Sequence, residues 1–417
     1  MSDFRRTVDA VWRIESPRLI ASLVRLLGDV DRAEDCAQDA LLAALQQWPE
    51  SGVPLNPGAW LTTTARRRAI DQIRAGVRHE SKQGMVAHEM GAYDLDAPDY
   101  DTALDDDVGD DMLRLIFISC HPVLSTDSRV ALTLRLIGGL STEEIARAFL
   151  APTATIAQRI VRAKRTLAEA KVPFAMPEGP EREGRIGAVL EVLYLIFNEG
   201  YSATAGEDLL RPELCIEAMR LGRVLAELAP EQPEVHGLAA LMQLQASRGR
   251  ARVGVDGSAV LLLEQDRSRW DRLLIGRGLA ALERAIALGR GLGPIGLQAA
   301  IAATHAHALR AEDTDWVRIV ALYDALGQLA PSPVVQLNRA VAVGMAFGPQ
   351  AALDIVDGLR FEPSLKDYHY LPAARADLLV RLGRVGEARS EFERAARLTR
   401  NRREQQTLLD RAAACAS

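Results

Sequence analysis

Aromatic residues supply only 5% of this 417-residue chain. Alanine and leucine dominate the apolar positions instead, a composition that favours helices over sheets. Cysteine is equally scarce: Cys36, Cys120, Cys215 and Cys415 lie far apart and none forms a CxxC pair. That argues against a disulfide framework or a cysteine-based zinc site and for free thiols in a reducing compartment. The N-terminal stretch MSDFRRTVDAVWRIES lacks the apolar segment of a signal peptide, and no run of about 18 apolar residues occurs. A soluble, cytoplasmic protein is expected.

Enzyme signatures are missing too: there is no P-loop, GxSxG or HExxH. GLGPIG (Gly291 to Gly296) fits the letters of a dinucleotide fingerprint, but it follows a helical stretch and contains Pro294. His305 and His307 fall on different faces of a helix, a poor metal pair. Cys120 and His121 have no evident catalytic partner and read as a buried thiol and a helix-end histidine. No catalytic residue, metal or cofactor is expected.

What is present is organised in blocks. The chain is 48% hydrophobic with a net charge of −6, so any polyanion binding must come from local patches. The most informative block is LSTEEIARAFLAPTATIAQRIVRAKRTL (Leu140 to Leu167). Ser141 and Glu144 have the spacing of a capping box, and Ile145, Ala146 and Phe149 form one apolar stripe. After Pro152, Ile156, Ile160, Ala163 and Leu167 recur at helical spacing and should face a core. Gln158, Arg162 and Arg165 then lie opposite, with Thr155 and Arg159 on the flanks. A helix packed on one side with Arg and Gln on the other suits major-groove reading. Arg159, Arg162, Lys164 and Arg165 would supply phosphate or base contacts; the plain alternative is a solvated helical hairpin.

A second basic block, AWLTTTARRRAIDQIRAGVRHESK (Ala59 to Lys82), combines Trp60, three threonines and six cations between Arg66 and Lys82. Rings can stack on bases while cations hold phosphates, which suits melted nucleic acid. A surface helix with a buried Trp is the alternative. Before it, Val8 to Leu27 reads as two linked helices with a break at Pro17. Asp29 to Trp48 reads as an amphipathic helix with an acidic start, and Pro49 to Pro57 as a loop. Between Met85 and Met112 there are ten acids and no Lys or Arg. This is expected to be a flexible acidic linker with a short helix near its end, and a mimic of a polyanion is a sharper reading of it.

Beyond Pro173, Pro177 and Pro180 the chain reads as a helical array. Gly348 and Gly383 are 35 residues apart, near the tetratricopeptide period of about 34. The stretch Ala374 to Leu398 resembles one such unit, with Gly383 at the turn and Ala388, Phe392 and Ala395 at packing positions. Val334 to Leu359 matches less well, and Leu279 to Gly289 resembles a second helix of a unit. Repeats of this kind need neighbours to bury their faces. Asn198, Glu199 and Tyr201 in VLYLIFNEGYSA could bind a ligand or form a domain interface, and the charges beside Trp270 in LLLEQDRSRWDRLL are consistent with a polar interface; interdomain contact is favoured over catalysis.

Taken together, residues 5 to about 170 resemble an RNA polymerase sigma factor of the extracytoplasmic-function type. DVDRAEDCAQDALLAAL (Asp29 to Leu45) resembles the helix that docks on the clamp of the polymerase beta-prime subunit. NPGAWLTTTARRRAIDQIR (Asn56 to Arg74) resembles the segment that melts and reads the −10 element. LRLIGGLSTEEIARAFLAPTATIAQRIVRAKRTL (Leu134 to Leu167) resembles the domain that reads the −35 element. The resemblance implies that Asp31, Glu34, Asp35, Gln38 and Asp39 face polymerase. It implies that Trp60, Thr63, Arg66, Arg67, Asp71 and Arg74 lie along the −10 region, and that Thr155, Gln158, Arg159, Arg162 and Arg165 meet the −35 region. Cys36 and Ala37 stand where the family often has larger aliphatics. Family members usually end near the second DNA-binding domain; the extension here, with its NEGYSA and DRSRWD segments, resembles a subgroup carrying a tetratricopeptide-like tail.

The expected architecture is all-α: a region 2 domain (1–84), an acidic linker (85–112), a region 4 helix-turn-helix domain (113–174) and a tetratricopeptide-like α-solenoid (182–417). The expected partners are core RNA polymerase, promoter DNA and a protein or ligand bound by the repeat domain, with no membrane. The rival is a helix-turn-helix regulator or adaptor without sigma activity, for which the Asp29 to Leu45 helix would have no use.

Overall fold

A computed structural model of the chain describes residues 2–82, 104–149, 151–201, 210–254, 258–399 and 401–415. Among these residues there are eighteen α-helices, a few 3-10 turns and no strand, only an isolated bridge between Val253 and Ala259. No described helix is long and apolar enough to cross a membrane. The chain forms two compact units, 1–192 and 193–417.

The first unit begins with α1 (Ser2–Leu27), α2 (Val30–Ser51) and α3 (Pro57–Lys82), packed on one another. Asp29 starts α2 by accepting from the Asp31 and Arg32 amides at 2.8 and 3.0 Å. Asn56 starts α3, accepting from the Ala59 amide at 3.0 Å. Each side chain satisfies amide donors that the first helical turn leaves without partners. Ala33, Cys36, Ala37, Ala40 and Ala44 are buried along α2, small side chains that let neighbouring helices come close, and Trp48 is buried towards its C-terminal end.

Two expectations need correction. The break at Pro17 does not occur: α1 runs through it. Val8 before the proline and Leu19, Ile20, Leu23 and Val24 after it are all buried, so packing of one continuous apolar stripe outweighs the missing amide bond. Likewise Pro49 lies inside α2, which ends only at Ser51.

The same unit continues with α4 (Leu104–Ser119), α5 (Thr126–Leu136), α6 (Thr142–Ala148) and α7 (Thr153–Glu169). The acidic stretch expected as a linker lies outside the described residues up to 103, and its end belongs to α4. The capping box closes as expected: the Glu144 amide donates to Ser141 Oγ at 3.2 Å and the Ser141 amide to Glu144 Oε2 at 2.8 Å. Ile156, Ile160, Ala163 and Leu167 are the buried positions of α7. The Cys120 thiol lies 3.3 Å from the Thr133 hydroxyl, and burial pushes its pKa up to about 11, which makes it unreactive. His121 accepts from the Val123 amide at 3.1 Å. The first half of α8 (Gly179–Tyr201) is tied to this group, because Arg185 donates to the Phe117 carbonyl at 2.8 Å.

In the second unit α9 (Pro212–Leu228) is followed by α10 (Pro233–Ala246), α11 (Arg272–Ala287), α12 (Pro294–His307), α13 (Trp316–Leu329), α14 (Pro333–Ala346), α15 (Pro349–Gly358), α16 (Tyr370–Arg381), α17 (Val385–Leu398) and α18 (Arg402–Ala414). Its core is a chain of overlapping clusters rather than one centre. Leu244, Trp270 and Ala299 share one cluster and Ile301, Ile319 and Val343 the next. Leu353 and Leu379 belong to a third, and Phe392 and Leu408 close the series. Each helix hairpin thus buries its face against its successor, as stacked repeats must. Gly383 supplies the turn between α16 and α17 with φ +75°, a conformation costly for other residues.

GLGPIG is the start of α12. The amides of Ile295 and Gly296 donate to Glu234 at 2.9 and 3.0 Å, so the chain's own carboxylate takes the place of a bound anion. His305 is buried edge-on against Trp316, with its pKa driven down to about 3 by burial and the nearby Arg248 and Arg267. Two residues of the DRSRWD segment, Arg267 and Trp270, are buried within the second unit. Arg267 is buried and donates to the His305 and Ala308 carbonyls and the Thr314 hydroxyl, each at 2.9 Å. It closes the C-terminal end of α12, while Trp270 sits in the core beside it. Tyr201 bonds Arg248 at 2.7 Å, and the Arg252 guanidinium lies 3.8 Å over its ring.

Because Phe392 is wholly buried among alanines of α16 to α18, Phe392→Ala leaves a void the backbone cannot close. It should cost about 3–5 kcal/mol, read as a lowered midpoint in denaturant unfolding; an unchanged midpoint would refute this packing.

Candidate functional site

The residues singled out in the first unit lie on α2, α3 and α7. On α2, Asp31, Asp35 and Asp39 are exposed and Gln38 is half-buried, but Glu34 is only 3% exposed. The reason is cationic and comes from elsewhere in the chain. Arg135 at the end of α5 donates through Nε to Glu34 Oε1 at 2.6 Å. Lys164 on α7 stands 2.6 Å from Glu34 Oε2 and donates to Asp31 Oδ1 at 2.7 Å. Gln38 Nε2 adds a bond to Glu34 Oε1 at 2.9 Å. Burial alone would raise the Glu34 pKa; Arg135 and Lys164 outweigh it and hold the carboxyl below its ordinary 4.5. Burial would lower Lys164, but Glu34 and Asp31 hold it above its ordinary 10.5. Asp35 is pushed up, first by partial desolvation and then by the Asp31 carboxylate.

Lys164 therefore does not stand among the DNA-contacting cations as the sequence suggested. Its ammonium is committed to two carboxylates of α2. The other side chains on α7 keep the expected faces: Gln158, Arg162 and Arg165 are exposed, and Thr155 and Arg159 half-buried. Arg159 pairs with Asp127 at 3.0 Å and Arg165 with Glu169 at 2.6 Å. Both are surface pairs that a phosphate can displace at small cost.

On α3, Thr63, Arg66, Arg67, Asp71 and Arg74 are exposed while Leu61, Ala65 and Ala69 are buried. Trp60 is half-buried, its ring 5.4 Å from that of Trp48 in an edge-on contact. Thr63 Oγ1 donates to the Ala59 carbonyl at 2.9 Å. An acidic helix and a basic helix thus lie side by side with their charged faces in solvent. No cluster of described residues could hold a metal ion.

Comparison with known proteins agrees with this order of parts. Residues 12–79 match sigma-70 region 2 and residues 114–167 match sigma-70 region 4. The chain belongs to the extracytoplasmic-function sigma factors of the sigma-70 family. Its later part, 185–286, matches a family of unknown function, DUF6596, so this sigma factor carries a C-terminal helical extension. An uncharacterized protein of Rhizobium meliloti (strain 1021) is 44% identical over 390 residues, 92% of this chain and 90% of that one. The probable ECF RNA polymerase sigma factor SigI of Mycobacterium tuberculosis (strain ATCC 25618 / H37Rv) is 28% identical over 198 residues, 45% of this chain and 67% of its own. The ECF RNA polymerase sigma factor SigK of Mycobacterium ulcerans (strain Agy99) is 29% identical over 154 residues, 36% of this chain and 78% of its own. Sigma factors catalyse no reaction themselves; their family implies core RNA polymerase and promoter DNA as partners.

Sequence reasoning missed the Glu34 cage. Arg135 and Lys164 lie 101 and 130 residues from Glu34, beyond any local pattern. The signs of the two shifts fix how the cage responds to pH. Glu34, lowered from 4.5, contributes stability above that value and loses it as pH falls through the lowered one. Lys164, raised from 10.5, contributes below that value and loses it as pH rises through the raised one. The stability gap between wild type and Glu34→Gln should be constant from about pH 6 to 9 and shrink in acid. Unfolding curves across that range check this, and a gap that changes near neutrality counts against the cage.

Proposed function

We propose that this sigma factor binds core polymerase through α2 and carries it to promoters with two spaced elements. Asp31, Glu34, Asp35, Gln38 and Asp39 form the polymerase-facing set, on the beta-prime clamp. Trp60, Thr63, Arg66, Arg67, Asp71 and Arg74 on α3 handle the melted −10 element, and Thr155, Gln158, Arg159, Arg162 and Arg165 on α7 read the −35 element. One observation carries the reading: α2 and α3 pack as neighbours yet expose opposite charge, Asp35 and Asp39 on one and Arg66 and Arg67 on the other. Protein and nucleic acid can then be held at once by adjoining faces. Phosphate contacts make binding to free DNA fall with added salt.

The helical extension is read as a regulatory or partner-binding module acting on this initiation activity. Removal of residues after about 180 should change promoter-directed transcription; unchanged output from the truncated protein would contradict that role.

The docking assignment is tested with Asp35→Arg, which reverses an exposed charge without disturbing the core. Core polymerase binding should be lost while the circular dichroism melt stays put. Normal binding by the folded variant removes the assignment. Arg162→Ala should weaken binding to a cognate −35 duplex by roughly 1–3 kcal/mol and relax preference at the contacted position. A uniform loss across all sequences would make Arg162 a phosphate contact instead.

A further inference from the structure

The cations on Glu34 belong to the region 4 helices, while Glu34 belongs to the region 2 helix read as the polymerase-docking element. We infer that the free chain is self-inhibited: region 4 occupies the docking face of its own region 2 and competes with polymerase for it. This rests on the docking assignment above and adds to it a regulated access.

The contact is built on both sides. Each oxygen of Glu34 has its own cation, Arg135 Nε on one and Lys164 Nζ on the other, both at 2.6 Å. Lys164 also reaches Asp31, a second member of the docking set, at 2.7 Å. Away from this cage, Arg13 of α1 pairs with Glu144 of α6, and Arg25 of α1 stands 3.2 Å from the buried Asp111 of α4. Between these pairs the turn after α5 comes against α1 at Gly139. A Cβ there would lie 3.2 Å from Ser16 Oγ and 3.3 Å from the Arg13 Cα. Its φ of +65° is itself a glycine conformation. Charge, shape and backbone all serve the approach of the two regions.

The consequence follows from the cost of a buried charge. A carboxylate held away from water and stripped of its cations is strongly destabilised. Glu34 can therefore be offered to polymerase only when Arg135 and Lys164 withdraw together with region 4, or when polymerase donors replace them. Only the open fraction binds, so the apparent dissociation constant is the intrinsic one divided by that fraction. Weakening the cage raises the open fraction and tightens apparent binding.

The test uses the full chain carrying Lys164→Met, which keeps the apolar stem and removes the charge, and separately Arg13→Ala, which breaks the distant pair. A spin-label pair at exposed Leu42 on α2 and Val161 on α7 reports the separation of the regions, and titration with bacterial core polymerase reports affinity. Lys164→Met should add a long-distance population and tighten core binding about tenfold, with Arg13→Ala shifting both in the same direction by less. Distances unchanged in both variants overturn the inference, since the pairs would then not hold the regions together. An opened distribution with unchanged or weaker core binding also overturns it, because the contact would not compete with polymerase. If no form binds core polymerase, the docking assignment falls and the competition with it, while the label distances still report separately on the contact.

Discussion

A carboxylate buried in protein needs cations, and the placing of those cations governs the first unit of this sigma factor. Glu34 lies on a helix whose buried residues nearest it are alanine and cysteine, with Trp48 buried only towards its C-terminal end. The helix can therefore press closely on α1 and α3, and Glu34 ends at the edge of that packing rather than in solvent. Arg135 and Lys164 arrive from α5 and α7 to neutralise it. Removing either cation leaves Glu34 with only the other, so the position of region 4 and the state of α2 are linked. The exposed carboxylates beside it, Asp35 and Asp39, are spared that constraint and remain available to a partner.

Charge is handled differently in the repeat unit. There the buried cation Arg267 spends its hydrogen bonds on two carbonyls and a hydroxyl. Its work is to satisfy the end of α12, as a cation at a helix C-terminus does. Glu234 does the complementary work at the start of the same helix. With both ends closed, an alanine-rich helix with little side-chain bulk becomes a rigid element on which α10, α11 and α13 stack.

The legible parts of the fold were those decided within a few residues. The Ser141–Glu144 box, the Ile156 to Leu167 stripe and the Gly383 turn each follow from local spacing, and the family resemblance extended the reading from helices to site residues. Pro17 misled because a local rule about proline met a longer-range one, the burial of Leu19 to Val24 on the same stripe as Val8. Lys164 misled for a related reason. By spacing it belongs to a basic helix, and only the folded chain brings Asp31 and Glu34 to it. Similarly, the role of Arg267 was not legible because its partners, the carbonyls at the end of α12, carry no sequence signature.

The sigma assignment is tested most directly by mixing the purified chain with bacterial core RNA polymerase and sequencing transcripts made from a pool of genomic fragments. Comigration with core and transcripts starting downstream of a shared pair of spaced motifs are the expected result. Retained DNA binding with neither comigration nor specific transcripts would contradict it and leave a helix-turn-helix regulator in its place.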